Sequence, residues 1–147
     1  MPTFSKITDD KRRHLDLLLL ADEQEDMVYR YLDRGDMWTL DDDGTRGICV
    51  VTDEGDGILE IKNLAITPDS QRQGYGKAMI EFIATTYGAY KTLRVGTGDS
   101  PLTIPFYESC GFRKVGRLAN FFTENYDHPI IEGGAILTDM IVLERQL

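Results

Sequence analysis

The sequence is poor in cysteine and histidine, and it contains no long apolar run. Only two cysteines, Cys49 and Cys110, and two histidines, His14 and His128, occur in 147 residues. The cysteines have neither metal-type spacing nor histidine partners, which argues against a disulfide framework and against a metal site. They read as small buried hydrophobes of a reducing compartment. The longest apolar stretch, Leu17 to Ala21, falls far short of a membrane span. Met1 to Arg13 lack the basic start, apolar middle and small-residue end of a secretory signal. The expectation is a cytoplasmic protein that meets no membrane.

Positive charge is in deficit, and unevenly so. The net charge is −9, and residues 1–60 carry all of it, with sixteen of the twenty-five acids against seven of the sixteen bases. An acidic surface disfavours nucleic acid and anionic membranes and favours cationic small molecules or basic peptides. Solubility alone also accounts for it. Hydrophobic residues at 41% and charged residues at 28% are ordinary for a globular protein. The length suits one domain, 1–147, with a continuous core.

Along the chain, Phe4 to Ile7 reads as a short strand, followed by a helix from Thr8 through Leu20. Asp22 to Arg34 reads as a second helix, with Met27, Val28, Tyr31 and Leu32 as its apolar stripe and Gly35 as its stop. Strands follow at Met37 to Leu40, Arg46 to Thr52 and Ile58 to Ile66, separated by Asp/Gly turns. A helix over Gly76 to Ala89 precedes a strand at Thr92 to Val95. A brief helix covers Ile104 to Cys110, with Gly111 closing it. Arg113 to Phe121 and Ile136 to Leu143 form a last strand pair. The connection between them, Thr123 to Gly134, is long for a hairpin and suggests a functional loop. Strands and helices in alternation, with a strand pair at the end, imply a mixed sheet covered on both faces.

The most informative segment runs from Leu64 to Lys77. A buried strand ends at Ile66, a polar loop follows, and Gly74 and Gly76 open a helix. Amide groups at a helix start have no internal partner, and the helix dipole adds about half a positive charge there. Such a turn suits a diphosphate. Glycines let the backbone approach the anion, and Arg72 and Lys77 bring cations to it. The six-residue glycine fingerprint of dinucleotide folds and the Gly-Lys-Ser/Thr ending of triphosphate loops are both absent.

This segment resembles the signature of the GNAT superfamily of N-acetyltransferases, Gln/Arg-x-x-Gly-x-Gly/Ala, here Gln71-Arg72-Gln73-Gly74-Tyr75-Gly76. Leu59 to Ile66 has the strand pattern of that family, and Phe106-Tyr107-Glu108-Ser109-Cys110-Gly111-Phe112 resembles its second motif. The resemblance is strong over residues 58 to 115. It implies an α/β domain with a mixed, mostly antiparallel sheet of about six to seven strands flanked by about four helices. It also implies acetyl transfer from acetyl-CoA to a primary amine, with no metal. The amides of Gln71 to Lys77 are expected at the coenzyme A pyrophosphate. The backbone of Leu64, Ala65 and Ile66 is expected along the pantetheine arm, with an N–H near Ile66 polarising the thioester carbonyl. Ser100 stands where the family often has asparagine; it makes either a shorter hydrogen bond to pantetheine or none. Homodimers are common in the family.

Acetylation needs a neutral nucleophile, and an unperturbed alkylamine with a pKa of about 10.4 is almost wholly protonated at neutral pH. A base or a desolvating pocket must help. Through the resemblance, Glu60 is the candidate base; the alternative is a glutamate paired with Lys62. Tyr107 is the candidate acid for the leaving thiolate; the alternative is a core aromatic beside Phe106 and Phe112. The family's acceptor pocket is walled by the two N-terminal helices and the loop between the last strands. Here these carry Asp22, Glu23, Glu25 and Asp26, and Tyr126, Asp127 and His128, which points to a cationic small-molecule or peptidic acceptor. A rival reading from another class is a GNAT-like module that binds acyl-CoA without catalysis.

Overall fold

The computed structural model describes residues 1–147. Seven strands form one sheet, in the order β1 (Thr3–Ile7), β2 (Asp36–Asp41), β3 (Thr45–Asp53), β4 (Ile58–Ile66), β5 (Thr92–Gly98), β9 (Met140–Gln146) and β6 (Arg113–Leu118). Every neighbouring pair is antiparallel except β4 and β5, which run parallel. Five helices accompany it: α1 (Leu15–Ala21), α2 (Glu25–Tyr29), α3 (Tyr75–Thr86), α4 (Ile104–Ser109) and α5 (Phe121–Asn125). The expected mixed, mostly antiparallel architecture is present. No helix is long and apolar enough to cross a membrane.

The sheet is buried on both faces because β3 alternates between two cores. Cys49 and Val51 point into a core shared with Met79, Ile80 and Ile83 of α3. Ile48 and Val50 point the other way, into a core with Leu18 of α1 and Val28 of α2. Strict alternation of this kind is what a central strand with helices on both sides requires.

β4 carries the one irregularity that matters for the site. Val50 pairs with Asn63 and Val51 with Ile61, so Lys62 is an extra residue, a bulge. The bulge reverses which residues face which layer. Leu59 and Ile61 lie in the α3-side core before it, whereas Ala65 lies in the α1-side core after it.

Several expected boundaries move. The helix expected over 22–34 is regular only at Glu25–Tyr29, and α3 starts at Tyr75 and stops at Thr86. β5 runs on to Gly98, three residues past its expected end. The long last connection is not a bare loop. Asp139 accepts the Asn120 N–H at 2.9 Å, and α5 begins immediately after that cap. Gly133 and Gly134, both at positive φ, then close a small hairpin of β7 (Ile131–Glu132) and β8 (Ala135–Ile136). The strand expected to reach Phe121 therefore ends at Leu118.

Candidate active site

The loop after β4 turns back sharply before α3 begins. Arg72 and Gly74 both have positive φ, 62° and 84°, which swings the first turn of α3 outward. No side chain caps that turn, and its first internal bond runs from the Ala78 N–H to the Gly74 carbonyl at 3.0 Å. The N–H groups of Gly74, Tyr75, Gly76 and Lys77 consequently have no acceptor within the protein. Four aligned donors at the positive end of a helix form an anion cradle. Arg72 and Lys77 enter none of the ion pairs, so their charge stays available beside it.

Side chains of the same segment fasten it in place. Gln71 Nε2 donates to the Ile66 carbonyl at 3.2 Å, and Gln73 Nε2 to the Asp69 carbonyl at 3.3 Å. The Tyr75 hydroxyl donates to Asp42 Oδ2 at 2.6 Å, so what Tyr75 offers the cradle is its amide.

A cleft of about 360 Å³, lined by Leu64, Ile66 and Gln71 of the segment that leads into this turn, lies where β4 and β5 part. Their last paired residues are Ile61 and Val95, directly before the Lys62 bulge. Beyond that point both strands present free edges. The Thr67 N–H donates to the Arg46 carbonyl at 2.9 Å. Alternation then turns the peptide groups of Asn63 and Ala65 toward β3, and those of Leu64 and Ile66 toward the cleft. An extended ligand with amides of its own fits such an edge as an added strand. Ala65, expected among the binding residues, borders the cleft, but its peptide pairs with β3 and its side chain is buried on the α1 side.

Tyr107 of α4 borders the same cleft, packed edge-on against Phe106 and Phe112. Burial raises its pKa far above the usual phenol value, so it holds its proton throughout the neutral range. A strand edge and the buried phenol of Tyr107 thus line one cleft, and the free amides of the α3 start follow shortly after Gln71 at its border. The sequence profile described as "Acetyltransferase (GNAT) domain" matches residues 33–114, which contain all three. The chain belongs to the GNAT acetyltransferase family.

Relatives match well beyond that span. The chain is 37% identical over 137 residues to the N-acetyltransferase YvbK of Bacillus subtilis (strain 168), covering 90% of this chain and 88% of the relative. Among solved structures it is similar to an IAA acetyltransferase from Bacillus cereus ATCC 14579, at 30% identity and a TM-score of 0.93 over 100% of both chains. It is similar also to a GNAT family acetyltransferase from Elizabethkingia anophelis with acetyl-CoA bound, at 33% identity and a TM-score of 0.92, covering 99% of this chain and 98% of that one.

Two residues expected in this GNAT site have other work. Ser100 is only 2% exposed and does not border the cleft. Its Oγ accepts the Leu102 N–H at 3.1 Å and its carbonyl accepts the Ile104 N–H at 3.2 Å, so it shapes the turn into α4. Glu60 is a clamp between two cations. Arg94 Nε reaches Oε1 at 2.6 Å and Lys62 pairs with Oε2, so each carboxylate oxygen faces a cation that favours its charged form. The ion-paired alternative for Glu60 fits this geometry.

The GNAT cleft adjoins a second cavity of about 510 Å³ between α2, α5 and the sheet. Asp22 borders both spaces, with Tyr31 Oη at 3.0 Å from one carboxylate oxygen and Tyr126 Oη at 2.6 Å from the other. Sequence alone places Asp22 among several helix acids; the two phenols that single it out come from distant positions. Asp127 and His128 are exposed and hydrogen-bond to each other at 2.7 Å.

Proposed function

We propose that the protein transfers the acetyl group of acetyl-CoA directly to a primary amine. The observation that carries this reading is the run of unpartnered amides, Gly74 to Lys77, a few residues beyond Gln71 at the border of a cleft with a free strand edge. A diphosphate suits the amides and the adjacent Arg72 and Lys77. The peptide groups of Leu64 and Ile66 suit the amides of a pantetheine arm. The bound acetyl-CoA of the Elizabethkingia relative supports the same donor here.

The thioester then lies near the parting of β4 and β5, within reach of Tyr107. Attack by the amine forms the C–N bond and breaks the C–S bond. Sulfur leaves with the proton of Tyr107, whose raised pKa keeps that proton in place until the thiolate appears. The walls of the cleft favour a protonated acceptor: Asp22, Glu23 and Glu132 face it against a single cation, Lys62, itself paired with Glu60. A small or peptidic cationic amine fits that balance.

The test is thiol release from acetyl-CoA over a panel of amines, alongside a titration of coenzyme A. Amine-dependent release with tight coenzyme binding is expected, with cationic acceptors ahead of neutral ones. Binding without release by any amine would return the protein to the acyl-CoA-sensing reading.

A further inference from the structure

We propose that Asp22 is the catalytic base, the carboxylate that receives the acceptor's ammonium group and takes its proton. The proposal rests on the acetyl-transfer reading and assigns the base to a carboxylate free of the cations that hold Glu60.

Asp22 caps the C-terminal end of α1 in an extended conformation, with its N–H bonded to the Leu18 carbonyl at 3.1 Å. The side chain therefore leaves the helix and stands between the two cavities. A one-way set of hydrogen bonds fixes it there. Asn63 Nδ2 donates to the Leu18 carbonyl at 2.9 Å and to the Tyr31 hydroxyl at 3.1 Å. Tyr31 must then donate its own proton onward to Asp22 Oδ2, and Tyr126 donates to Oδ1. Both phenols stay protonated at neutral pH, because burial raises their pKa values strongly. Asp22 is thus built to be an acceptor.

Its electrostatic position is equally specific. Asp22 enters no ion pair, although Glu54 and Glu60 beside the same cavity each hold cations. A part-buried carboxylate without a counter-charge is costly, and an incoming ammonium supplies the missing charge. Burial raises the pKa of Asp22, the two phenols and the Gln24 backbone lower it, and Asp26 of α2 raises it. The cations facing the adjoining cavity are Lys62 of β4, Arg94 of β5, Arg30 at the end of α2 and Arg34 beyond it, while Glu23 and Glu132 add negative charge on the cleft side. A carboxylate has room for about four hydrogen bonds, so two lone pairs remain for the amine after the phenols are counted.

The proton balance closes. An ammonium acceptor loses two protons in becoming an amide. Asp22 takes them in turn and releases them to solvent, while Tyr107 gives one to sulfur and recovers it from solvent.

The decisive variant is Asp22→Asn, which keeps the shape and removes the charge. With the best acceptor amine, kcat/KM should fall by about 10²-fold or more. The acid limb of its pH profile should vanish, while coenzyme A titrates within twofold of wild type. An unchanged pH profile in Asp22→Asn overturns the proposal and leaves acetyl transfer intact. Wild-type protein that binds coenzyme A yet acetylates no amine overturns both. If Asp22→Asn fails to bind coenzyme A, Tyr126→Phe decides. Losing one donor makes the carboxylate more basic, so the acid limb should move to higher pH; an unmoved limb sinks the assignment.

Discussion

Gly76 of α3 lies so close to Phe106 of α4 that a Cβ added to it would stand 3.0 Å from the ring's Cζ. The two motifs read in the sequence, the glycine turn and the Phe-Tyr helix, are thus one packed unit. Their contact packs the start of α3 against the helix that carries Tyr107. Gly76→Val is expected to force the ring away and to cost about 1–3 kcal/mol, as overpacking does. Denaturant unfolding measures the loss, and coenzyme A binding should weaken with it.

Gly74 is required for a different reason. Nothing lies within 4 Å of where its Cβ would be, but its φ of 84° is strained for any other residue. Gly74→Ala should cost about 1–2 kcal/mol in that conformation, felt as roughly a tenfold weaker coenzyme A affinity if the turn relaxes instead. Calorimetric titration reads it directly. A variant that binds as wild type would show that the turn's conformation is irrelevant to the anion.

Tyr107→Phe keeps the ring packing and removes the proton donor. Turnover should drop by about 10²-fold, with coenzyme A affinity within twofold. Retained turnover would return Tyr107 to the role of a core aromatic.

Glu60→Gln should leave the shape of the pH–rate profile as it is. Its carboxylate holds Lys62 and Arg94 at the lip of the second cavity, so the expected effect is a raised KM for the acceptor. A lost acid limb in this variant would restore Glu60 as the base.

One ion pair ties the α3 layer to the sheet and sets a pH dependence of stability. Arg145 of β9 grips Glu81 of α3 with two contacts, at 2.7 and 3.2 Å. Those hydrogen bonds hold the Glu81 carboxyl below its ordinary pKa. Because the folded value is the lower one, the stabilisation is present above the unfolded pKa and fades as pH falls through the folded one. Glu81 is largely exposed, so the gain is limited to about 0.5 kcal/mol by solvent screening. Glu81→Gln should unfold slightly earlier at pH 7, and the difference should close in acid.

The local geometry around the site was legible in advance where neighbouring residues encode it. Gln71 to Gly76 needs only a strand end, positive-φ positions and a helix start, all encoded within a few residues. The short helix that carries Tyr107 is equally local, since Pro105 and Gly111 mark its start and end. What could not be read depends on partners far away in the chain. Arg94 stands 34 residues from the Glu60 it neutralises, and Tyr126 stands 104 from the Asp22 it holds. The Lys62 bulge is a matter of register against β3, and α5 depends on a cap from Asp139 across the connection. Ser100 looked like a shortened ligand because its capping of the Leu102 amide is a feature of the turn alone.

The central claim is that the first-turn amides of α3 hold the coenzyme's diphosphate. Amide hydrogen exchange followed by NMR reads those groups one by one. Gly74, Tyr75, Gly76 and Lys77 should exchange fast in the free protein, having no internal acceptor, and become protected when coenzyme A is added. Amides that are slow without the coenzyme, or equally fast with it at saturation, would contradict the account.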